Sequence, residues 1–168
     1  MLHVSNDDLD CLTILFDRYH SRIFNFLNKM TRNKLVSEDL TQDVFYKVMK
    51  YRASYKSGNF ASWIFTITRN VYSTYYKKHK KMSVNELNEN IIKVDEELIT
   101  DSNADELNHL QKALLKLNNS DRELIVMNRY QKIKYHEIAE IIGSTEGAVK
   151  VKVHRALKKL KEVYFQNI

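Results

Sequence analysis

The chain has 168 residues, a formal net charge of +6 and a sequence pI of about 9.2, a basic balance that favours polyanionic partners such as nucleic acids. A single cysteine, Cys11, excludes an internal disulfide and fits a reducing compartment. No apolar run approaches the roughly twenty residues that span a bilayer, and the N-terminus lacks the pattern of a signal peptide. We therefore expect a cytoplasmic protein without direct membrane insertion, and no residue pattern indicates a metal ion or another cofactor.

The chain has few helix breakers, and its charge pattern changes along its length. It contains no proline and three glycines, and helical spacing of apolar residues recurs while strand-like alternation does not. From Glu86 to Glu106 eight carboxylates stand against one lysine, a composition that resists forming a core. These features predict an all-α fold of two small helical domains, residues 1–81 and 106–168, joined by an acidic flexible linker over residues 82–105. An exposed acidic helix is the alternative for that segment.

Three helices are predicted in the first domain. The first carries one apolar stripe at spacings of three and four: Leu12, Leu15, Phe16, Tyr19, Ile23, Leu27 and Met30. The second is predicted to have Ser37 as its N-cap, with Glu38 and Asp39 in its first turn. Its apolar row comprises Leu40, Val44, Val48 and Met49. The third is predicted to run from near Asn59 to about Lys78, with an inward row of Phe60, Ile64, Ile67 and Val71.

A window rich in basic and aromatic residues overlaps the third helix. Between Asp43 and Glu86 there is no acidic residue, but there are nine Lys or Arg and ten of the chain's eighteen Tyr, Phe and Trp. Basic side chains attract phosphates, and flat rings stack on unpaired bases at roughly 1–3 kcal/mol per base. One row of the third helix consists of Phe65, Arg69, Tyr72 and Tyr76. Phe65 is expected in the core, with Tyr72 as the second candidate for core packing, and the remaining window predicts a surface for single-stranded nucleic acid.

The second domain ends in two helices joined by a short turn. A helix over residues 135–142 is followed by Gly143, which suits the left-handed C′ position, and by Thr145, which suits the next N-cap. The last helix has an inward row of Val149, Val153, Ala156, Leu157 and Leu160 and an outward row of Lys150, Val151, His154, Arg155 and Lys158. From Gly147 to Lys161 there are six Lys or Arg, no acid and no Tyr, Phe or Trp. This pattern predicts a helix-turn-helix that binds duplex DNA, with an ordinary helical hairpin as the alternative.

Five short segments stand out in chain order. Residues 38–45 are EDLTQDVF, residues 60–70 are FASWIFTITRN, and residues 135–143, 146–150 and 154–156 are YHEIAEIIG, EGAVK and HRA. They resemble the core-binding helix, the promoter-melting segment and the helix-turn-helix signatures of the bacterial sigma-70 family, in its short extracytoplasmic-function (ECF) class. The chain departs from the family pattern at residues 131–134, which lack the usual glycine. It also departs where Val151 and Val153 flank Lys152, because the family often has a small polar residue and arginines there.

The resemblance implies an ECF-type sigma factor that binds RNA polymerase core, through its β and β′ subunits, and directs promoter recognition. The core-polymerase-binding residues implied are Glu38, Asp39, Gln42 and Asp43. Those implied for minus-ten DNA are Tyr55, Lys56, Asn59, Trp63, Arg69, Tyr72, Tyr75, Tyr76, Lys77 and Lys78. The 55–59 loop is the expected pocket for an extruded base, with Asn59 as its polar reader. Those implied for the minus-thirty-five duplex are Thr145, Lys150, Val151, Lys152, His154, Arg155 and Lys158. An anti-sigma factor is a further implied partner.

Two other classes of protein compete with this interpretation. A two-domain helix-turn-helix regulator would bind duplex DNA without polymerase, but it leaves the acidic cluster at 38–43 and the basic-aromatic window without a role. A tyrosine recombinase would carry a His-x-x-Arg motif, which none of the six histidines begins. Asp39 and Asp43 share a helix face, but the adjacent basic region supplies no acidic partner for a nuclease metal site. We therefore expect the chain not to be an enzyme, since the phosphodiester chemistry belongs to the polymerase.

Overall fold

The protein is all-α over the part of the chain that the structure describes, as the sequence predicts. The computed structural model describes residues 9–85 and 102–166, with side chains over 13–80 and 106–166. The contacts divide the chain into two compact units, Met1–Val94 and Asp95–Ile168. Each unit has its own helices and its own buried residues. The exposed residues of each unit are therefore held in place by the core of that unit.

The described residues form seven α-helices and two short helical turns. The first unit contains α1 (Leu9–Thr31), α2 (Lys34–Lys50) and α3 (Phe60–Asn85), with a 3-10 turn at Arg52–Ser54 after α2. The second unit contains α4 (Ser102–Lys116), α5 (Asn119–Ile125), α6 (Tyr135–Ile142) and α7 (Glu146–Phe165). A π-helical turn at Val126–Tyr130 continues α5 towards α6.

The predicted acidic linker over residues 82–105 is helical at both of its described ends. α3 continues through Asn85 instead of ending near Lys78, and α4 begins at Ser102. The chain has no proline, and no glycine occurs between Gly58 and Gly143, so nothing in the sequence ends a helix where the charge changes. The remaining residues of the predicted linker, 86–101, lie outside the described residues.

Apolar residues of α1 pack against α2 and α3 to form the core of the first unit. The buried residues of α1 follow the predicted stripe and add one aromatic ring: Tyr19, Ile23, Phe26, Leu27 and Met30. The ring of Phe26 meets that of Phe65 edge-on, at a centroid distance of 5.9 Å. Burial of side chains of this size stabilises the fold by about 1.5–3 kcal/mol each. This core holds the outer faces of α2 and α3 in place.

Phe16, predicted in the same stripe, lies at the rim of the core. It is 42% exposed, and its ring contacts those of His20 and Phe45 at centroid distances of 4.6 and 4.7 Å. The ring stays partly exposed because a groove of about 320 Å³ opens beside it, lined by Thr13, Phe16, Phe45, Tyr46 and Met49. The side chain of Leu12, the first residue of the predicted stripe, lies outside the described residues.

α2 begins four residues earlier than predicted, with Asn33 as its N-cap. Asn33 Oδ1 accepts a hydrogen bond from the backbone N–H of Val36 at 3.0 Å. Arg32 adopts a φ of 54°, so the chain turns immediately before this cap. Residue preferences favour Ser and Asn almost equally at an N-cap, and the turn at Arg32 decides for Asn33 because the cap has to follow the turn.

Ser37 is a buried residue within α2 and not its cap, which corrects the sequence-based expectation. Its hydroxyl donates to the backbone oxygen of Asn33 at 2.7 Å and lies 2.8 Å from the hydroxyl of Thr31. Glu38 and Asp39 therefore lie beyond the first turn of α2. There they project from an intact helix instead of facing its terminal N–H groups.

Helices α4, α5 and α7 enclose the core of the second unit. Its buried cluster comprises Leu114, Leu117, Ile125 and Ala156, with Tyr130, Leu157, Leu160 and Val163 packed against it. The guanidinium of Arg122 fixes the end of α4. Its Nε donates to the oxygen of Leu114 at 3.0 Å, and its Nη2 donates to the oxygens of Leu115 and Leu117 at 2.7 and 3.1 Å. A cation thus holds the C-terminal carbonyls of α4 against α5.

The predicted helix-turn-helix is confirmed over residues 135–165. α6 ends at Gly143, which has φ 65° and ψ 51°, the left-handed conformation that glycine adopts without strain. Thr145 caps α7, and its Oγ1 accepts a hydrogen bond from the N–H of Ala148 at 3.3 Å. The three-residue turn therefore has the conformation that its residue types indicate.

The turn before α6 is built without the glycine that the family usually has there. Lys132 adopts a φ of 54°, in the left-handed region that favours glycine. The N–H of Ile133 donates to the oxygen of Met127 at 3.0 Å, and Asn128 Nδ2 donates to the oxygen of Ile133 at 3.2 Å. These two hydrogen bonds hold the turn in this chain with a lysine in the left-handed conformation.

Candidate nucleic-acid interface

One side of α2 projects a row of exposed residues, here named the α2 face: Leu35, Glu38, Asp39, Gln42 and Tyr46. Counted from Leu35, the others follow at three, four, seven and eleven residues, so all five lie on one side of the helix. Leu35 is 71% exposed and Tyr46 is 64% exposed, so an apolar group lies at each end of an acidic and amide centre. Leu35 and Tyr46 are not among the residues predicted from the sequence. The available signal was their helical spacing from the acidic residues, off the buried row of α2.

Asp43, the fourth predicted core-binding residue, lies at the edge of the α2 face. Its Oδ2 is 2.9 Å from the Nζ of Lys47, one turn later, in a partly exposed ion pair. The structure thus brings Glu38, Asp39 and Gln42 together on one exposed surface, with Asp43 beside them and partly neutralised by its own helix.

The loop between α2 and α3 is held by its own side chains. The hydroxyl of Tyr55 donates to the oxygen of Gly58 at 2.7 Å, across a turn in which Gly58 has a φ of 109° that other residues rarely adopt. Asn59 Oδ1 accepts a hydrogen bond from the N–H of Ala61 at 2.9 Å, at the start of α3. The side-chain oxygen of Asn59, expected to read a base, is therefore engaged at the helix terminus in this structure.

Three aromatic rings meet beside this loop, and we name them the aromatic cluster: Tyr55, Phe60 and Trp63. Their centroids are 5.4 to 5.6 Å apart, and each residue is half-buried. Phe60 also meets the core ring of Tyr19 at 5.1 Å. The cluster is therefore anchored in the core on one side and reaches the surface on the other, next to the exposed Lys56. Such a surface offers flat rings beside a cation.

The expected DNA-facing row of α3 is divided between core and surface. Tyr72 is 3% exposed and Phe65 is 1% exposed, so both rings belong to the core, and Tyr72 is removed from the set of exposed candidates. The physical reason is that Phe65, Thr68 and Tyr72 follow one another at spacings of three and four and are all buried, so this row lies on the packed side of α3. Arg69 is half-buried.

The end of α3 presents the remaining candidates of that row. Tyr76 is 39% exposed, and Lys77 and Lys78 are exposed after it. Tyr75 is half-buried, with its ring 4.2 Å from that of His79. Burial raises the pKa of the Tyr75 hydroxyl above its ordinary value, so this hydroxyl remains a hydrogen-bond donor at neutral pH.

The last helix, α7, has one buried side and one cationic side. Val149, Val153 and Ala156 are buried, as predicted. The opposite side, here named the α7 face, carries the predicted exposed residues Lys150, Val151, Lys152, His154, Arg155 and Lys158. Thr145 is exposed at the start of the helix, with its hydroxyl oxygen engaged as the N-cap. A helix with one packed side and one basic side is suited to lie in a DNA groove.

Lys150 is oriented by two neighbours at the start of the α7 face. Its Nζ lies 2.8 Å from Glu146 Oε1, one turn earlier, and 5.9 Å from the ring centre of Tyr135 in α6. The hydrogen bond from Lys150, and then its charge, hold the pKa of the Glu146 carboxyl below its usual value. The same pair raises the pKa of Lys150, so that lysine is charged at neutral pH.

Comparison with known protein families identifies both units. The family model described as Sigma-70 region 2 matches residues 15–82, which include the α2 face and the aromatic cluster. The model described as Sigma-70, region 4 matches residues 107–160, which include the helix-turn-helix. Together the two matches cover more than two thirds of the chain. The chain belongs to the sigma-70 family.

Curated relatives of this sigma factor match it over nearly its whole length. The RNA polymerase sigma factor YlaC of Bacillus subtilis (strain 168) is 27% identical over 91% of each chain. The RNA polymerase sigma factor CarQ of Myxococcus xanthus is 29% identical over 92% of this chain and 89% of its own. The ECF RNA polymerase sigma factor SigM of Bacillus subtilis (strain 168) is 25% identical over 92% and 95%. The protein is an ECF-type sigma factor, which binds RNA polymerase core and directs promoter recognition in transcription initiation.

Two solved structures share the fold of this sigma factor. The sigma factor RpoE, solved in complex with the anti-sigma factor NepR from Bartonella quintana, is 24% identical with a TM-score of 0.73, over 90% of this chain and 94% of that one. CnrH, solved in complex with the cytosolic domain of CnrY, is 18% identical with a TM-score of 0.77, over 99% and 96%. At these identities the likeness concerns the fold.

The sigma factor has further exposed basic residues beyond those predicted from the sequence. Arg129, Lys132, Lys134 and His136 are exposed along the turn that leads into α6. They lie in the same helix-turn-helix unit as the α7 face. The available signal was the absence of any acidic residue between Glu123 and Glu137. In the first unit Tyr51 is 47% exposed with the Nζ of Lys50 5.6 Å from its ring centre, an aromatic and cationic pair that was also missed.

The described part of this sigma factor contains neither a candidate metal site nor a candidate membrane-spanning helix. Over residues with described side chains, no group of three or more His, Cys, Asp or Glu is arranged to hold a metal ion. Over the described helices, none combines the length and the apolar character needed to cross a membrane.

Proposed function

We propose that the three surfaces divide the work of this sigma factor. The α2 face, with Asp43 at its edge, docks on the β and β′ subunits of RNA polymerase core. The aromatic cluster and the end of α3 open the minus-ten promoter element and hold its non-template strand. The α7 face binds the minus-thirty-five element as duplex DNA. The surfaces lie on different helices, so one chain engages polymerase and DNA together.

The chemistry of the α2 face is the observation that carries this proposal. It combines exposed acidic residues with the exposed apolar residues Leu35 and Tyr46, in a chain whose net charge is +6. Acidic groups repel DNA phosphates, so this surface suits a protein partner. A regulator that binds DNA alone has no use for it. The α2 face therefore favours a sigma factor over a helix-turn-helix regulator that acts without polymerase.

The surface beside the 55–59 loop is suited to unpaired bases. Trp63 and Tyr55 offer ring faces at its surface, and stacking contributes roughly 1–3 kcal/mol per base. Extruding a base from a duplex costs a few kcal/mol, which stacking and hydrogen bonds offset. We propose that Lys56 and the cationic end of α3, with Tyr75, Tyr76, Lys77 and Lys78, track the phosphates and bases of the displaced strand. Asn59 holds the start of α3 by accepting the hydrogen bond from Ala61 N–H, and the half-buried Arg69 lies further along the same helix.

The α7 face is suited to duplex DNA because it is cationic and free of large rings. The N-terminal residues of such a helix reach base edges, while later cations meet phosphates. We propose that Lys150, Val151, His154 and Arg155 meet the major groove. Thr145, Lys152 and Lys158 meet the sugar-phosphate backbone on either side. The basic residues before α6 extend the phosphate contacts along the same duplex.

The proposal also covers location, chemistry and regulation. The protein acts in the cytoplasm, where polymerase and chromosome are, and it is not an enzyme, since the polymerase makes the phosphodiester bonds. An anti-sigma factor is the proposed inhibitory partner, because both structural neighbours were solved in complex with another protein, named as an anti-sigma factor for RpoE. Such a partner would compete for the α2 face or cover the basic surfaces.

A titration of labelled protein with sigma-free RNA polymerase core, without DNA, tests the docking surface. The double variant Asp39→Ala, Asp43→Ala should bind core about tenfold more weakly, because a loss of about 1.4 kcal/mol over the two carboxylates together corresponds to that factor. The control variant Asp17→Ala, Glu140→Ala removes two exposed acids elsewhere and should bind as the wild type does. Equal affinities for the two double variants, with helix content unchanged, would remove the assignment of the α2 face.

A further inference from the structure

Two exposed residues of α7, Gly147 in its first turn and Val151 on the α7 face, have no role in the packing of the second unit. Gly147 lies in the first turn of α7, and a Cβ placed on it meets no atom within 4 Å. Glycine inside a helix is destabilising relative to alanine, so its presence needs a reason. The fold supplies none, because the space beside Gly147 is open. The reason therefore lies outside this unit, where something approaches the helix closely.

Val151 follows Gly147 by one helical turn and is 49% exposed. The positions 147, 151, 154 and 158 fall along the centre of the α7 face, opposite the buried Val149, Val153 and Ala156. Cations flank this line at Lys150 and Arg155. The branched apolar side chain of Val151 makes no favourable interaction with water at this exposed position, and it is not part of the buried core.

We infer that Gly147 and Val151 together select thymine in the duplex bound by the α7 face. In the major groove thymine is distinguished by its C5-methyl group, which prefers an apolar contact. The bare backbone at Gly147 lets the start of α7 approach the base edges, and Val151 packs on the methyl group. The flanking cations hold the phosphates and so keep the helix in register. This inference rests on the proposed binding of duplex DNA by α7.

Thymidine and deoxyuridine differ by that methyl group alone, which gives a direct test. The full chain, assembled with core polymerase, selects duplexes from a pool randomised upstream of the minus-ten element. Each thymine in the upstream region of the selected duplex is then replaced, one at a time, by deoxyuridine. At one or two positions the replacement should weaken binding about fourfold, the value expected for one buried methyl group.

Variants of Val151 connect the effect to this residue. Val151→Ser should bind thymine and deoxyuridine duplexes equally at the sensitive positions, while Val151→Ile should keep the preference. The matched control Lys112→Ala, an exposed change on α4, should keep it as well. A preference that survives Val151→Ser, or no sensitive position in the wild type, would overturn the inference.

Gly147→Ala tests the close approach separately. The added methyl group enters open space in the free protein, so this variant should melt no earlier than the wild type. It should bind the selected duplex about tenfold more weakly. Unchanged binding would refute the close approach. If no upstream sequence is enriched at all, the proposed role of α7 fails. Enrichment without deoxyuridine sensitivity leaves that role intact and refutes only the selection of thymine.

Discussion

Within the described residues, two that are not glycine have a left-handed backbone, and each lies just before the start of a helix. Arg32 and Lys132 both have a φ of 54°. For an L-residue this conformation costs roughly 1–2 kcal/mol, which surrounding hydrogen bonds have to offset. Arg32 precedes the cap of α2, and Lys132 lies in the turn that leads into α6. The turn at Arg32 therefore fixes the residue at which α2 begins, and the turn at Lys132 fixes the approach of the chain to α6.

Substitution of Lys132 tests this conformation. Lys132→Gly should be more stable than Lys132→Val by about 2 kcal/mol, because glycine adopts a positive φ freely and a β-branched residue does not. Hydrogen exchange of the α6 and α7 amides measures the effect in the second unit alone. At Lys134, whose φ of −71° and ψ of 156° suit any residue, the same two substitutions should differ much less. Equal stability of the two Lys132 variants would contradict the left-handed turn.

At the scale of elements, helices of the first unit each combine a packed side with a side of distinct chemistry. α2 is acidic and apolar outward, whereas the end of α3 is aromatic and cationic outward. α3 also divides its own aromatic residues, with Tyr72 in the core and Tyr76 on the surface. This division separates rings that stabilise the fold from rings that are available to DNA.

Tyr75 provides a test of the α3 surface during promoter opening. Tyr75→Ala should lower the rate of opening about tenfold while leaving closed-complex affinity unchanged, because the proposed DNA partner of its ring is an unpaired base, at roughly 1–3 kcal/mol per stack. A fluorescent base analogue in the minus-ten element follows opening, and gel retardation measures closed-complex affinity. Tyr72→Ala, which removes a core ring, should instead lower the melting temperature. Equal losses in both binding steps for Tyr75→Ala would assign it to general DNA affinity.

At the scale of the whole molecule, acidic and basic residues lie on different surfaces: the α2 face is acidic, whereas the end of α3 and the α7 face are basic. The net charge of +6 attracts any nucleic acid, while the acidic residues of the α2 face keep that surface away from phosphates. We therefore expect nonspecific attraction to favour orientations on DNA in which the α2 face, the proposed polymerase-binding surface, stays accessible. Specificity comes afterwards, from contacts with bases.

The dependence of duplex binding on salt concentration tests whether the basic surfaces, and not the α2 face, contact DNA. The logarithm of the affinity should fall linearly with the logarithm of salt concentration, and each phosphate contact contributes about 0.9 to the slope. Lys158→Ala should reduce the slope by about that amount. Asp39→Ala, on the α2 face, should leave the slope unchanged in the full chain bound to a minus-thirty-five duplex. A change of slope in Asp39→Ala would place the α2 face near DNA.

Much of the fold was predictable from the sequence because its signals are local. Helical spacing and the scarcity of breakers predicted an all-α chain, and Gly143 and Thr145 marked the helix-turn-helix turn that the structure confirms. Of the proposed surfaces, the basic row of α7 was the most predictable. The apolar row on the buried side of α7 is continuous in the sequence, so the basic row on the opposite side of the same helix is expected to be exposed.

The sequence alone determined the helical fold class, the helix-turn-helix and the resemblance to the sigma-70 family. Each of these rests on a pattern formed by residues that are close together in the chain. Tertiary structure decided the positions that depend on a neighbouring helix. Tyr72, expected among the residues for minus-ten DNA, lies in the core, and Phe16, expected in the apolar stripe of α1, lies at its rim. Ser37 became a buried residue, and Leu35 and Tyr46 remained exposed. Both sides of these helices carry apolar residues, and only the helix packed against them determines which side is removed from water.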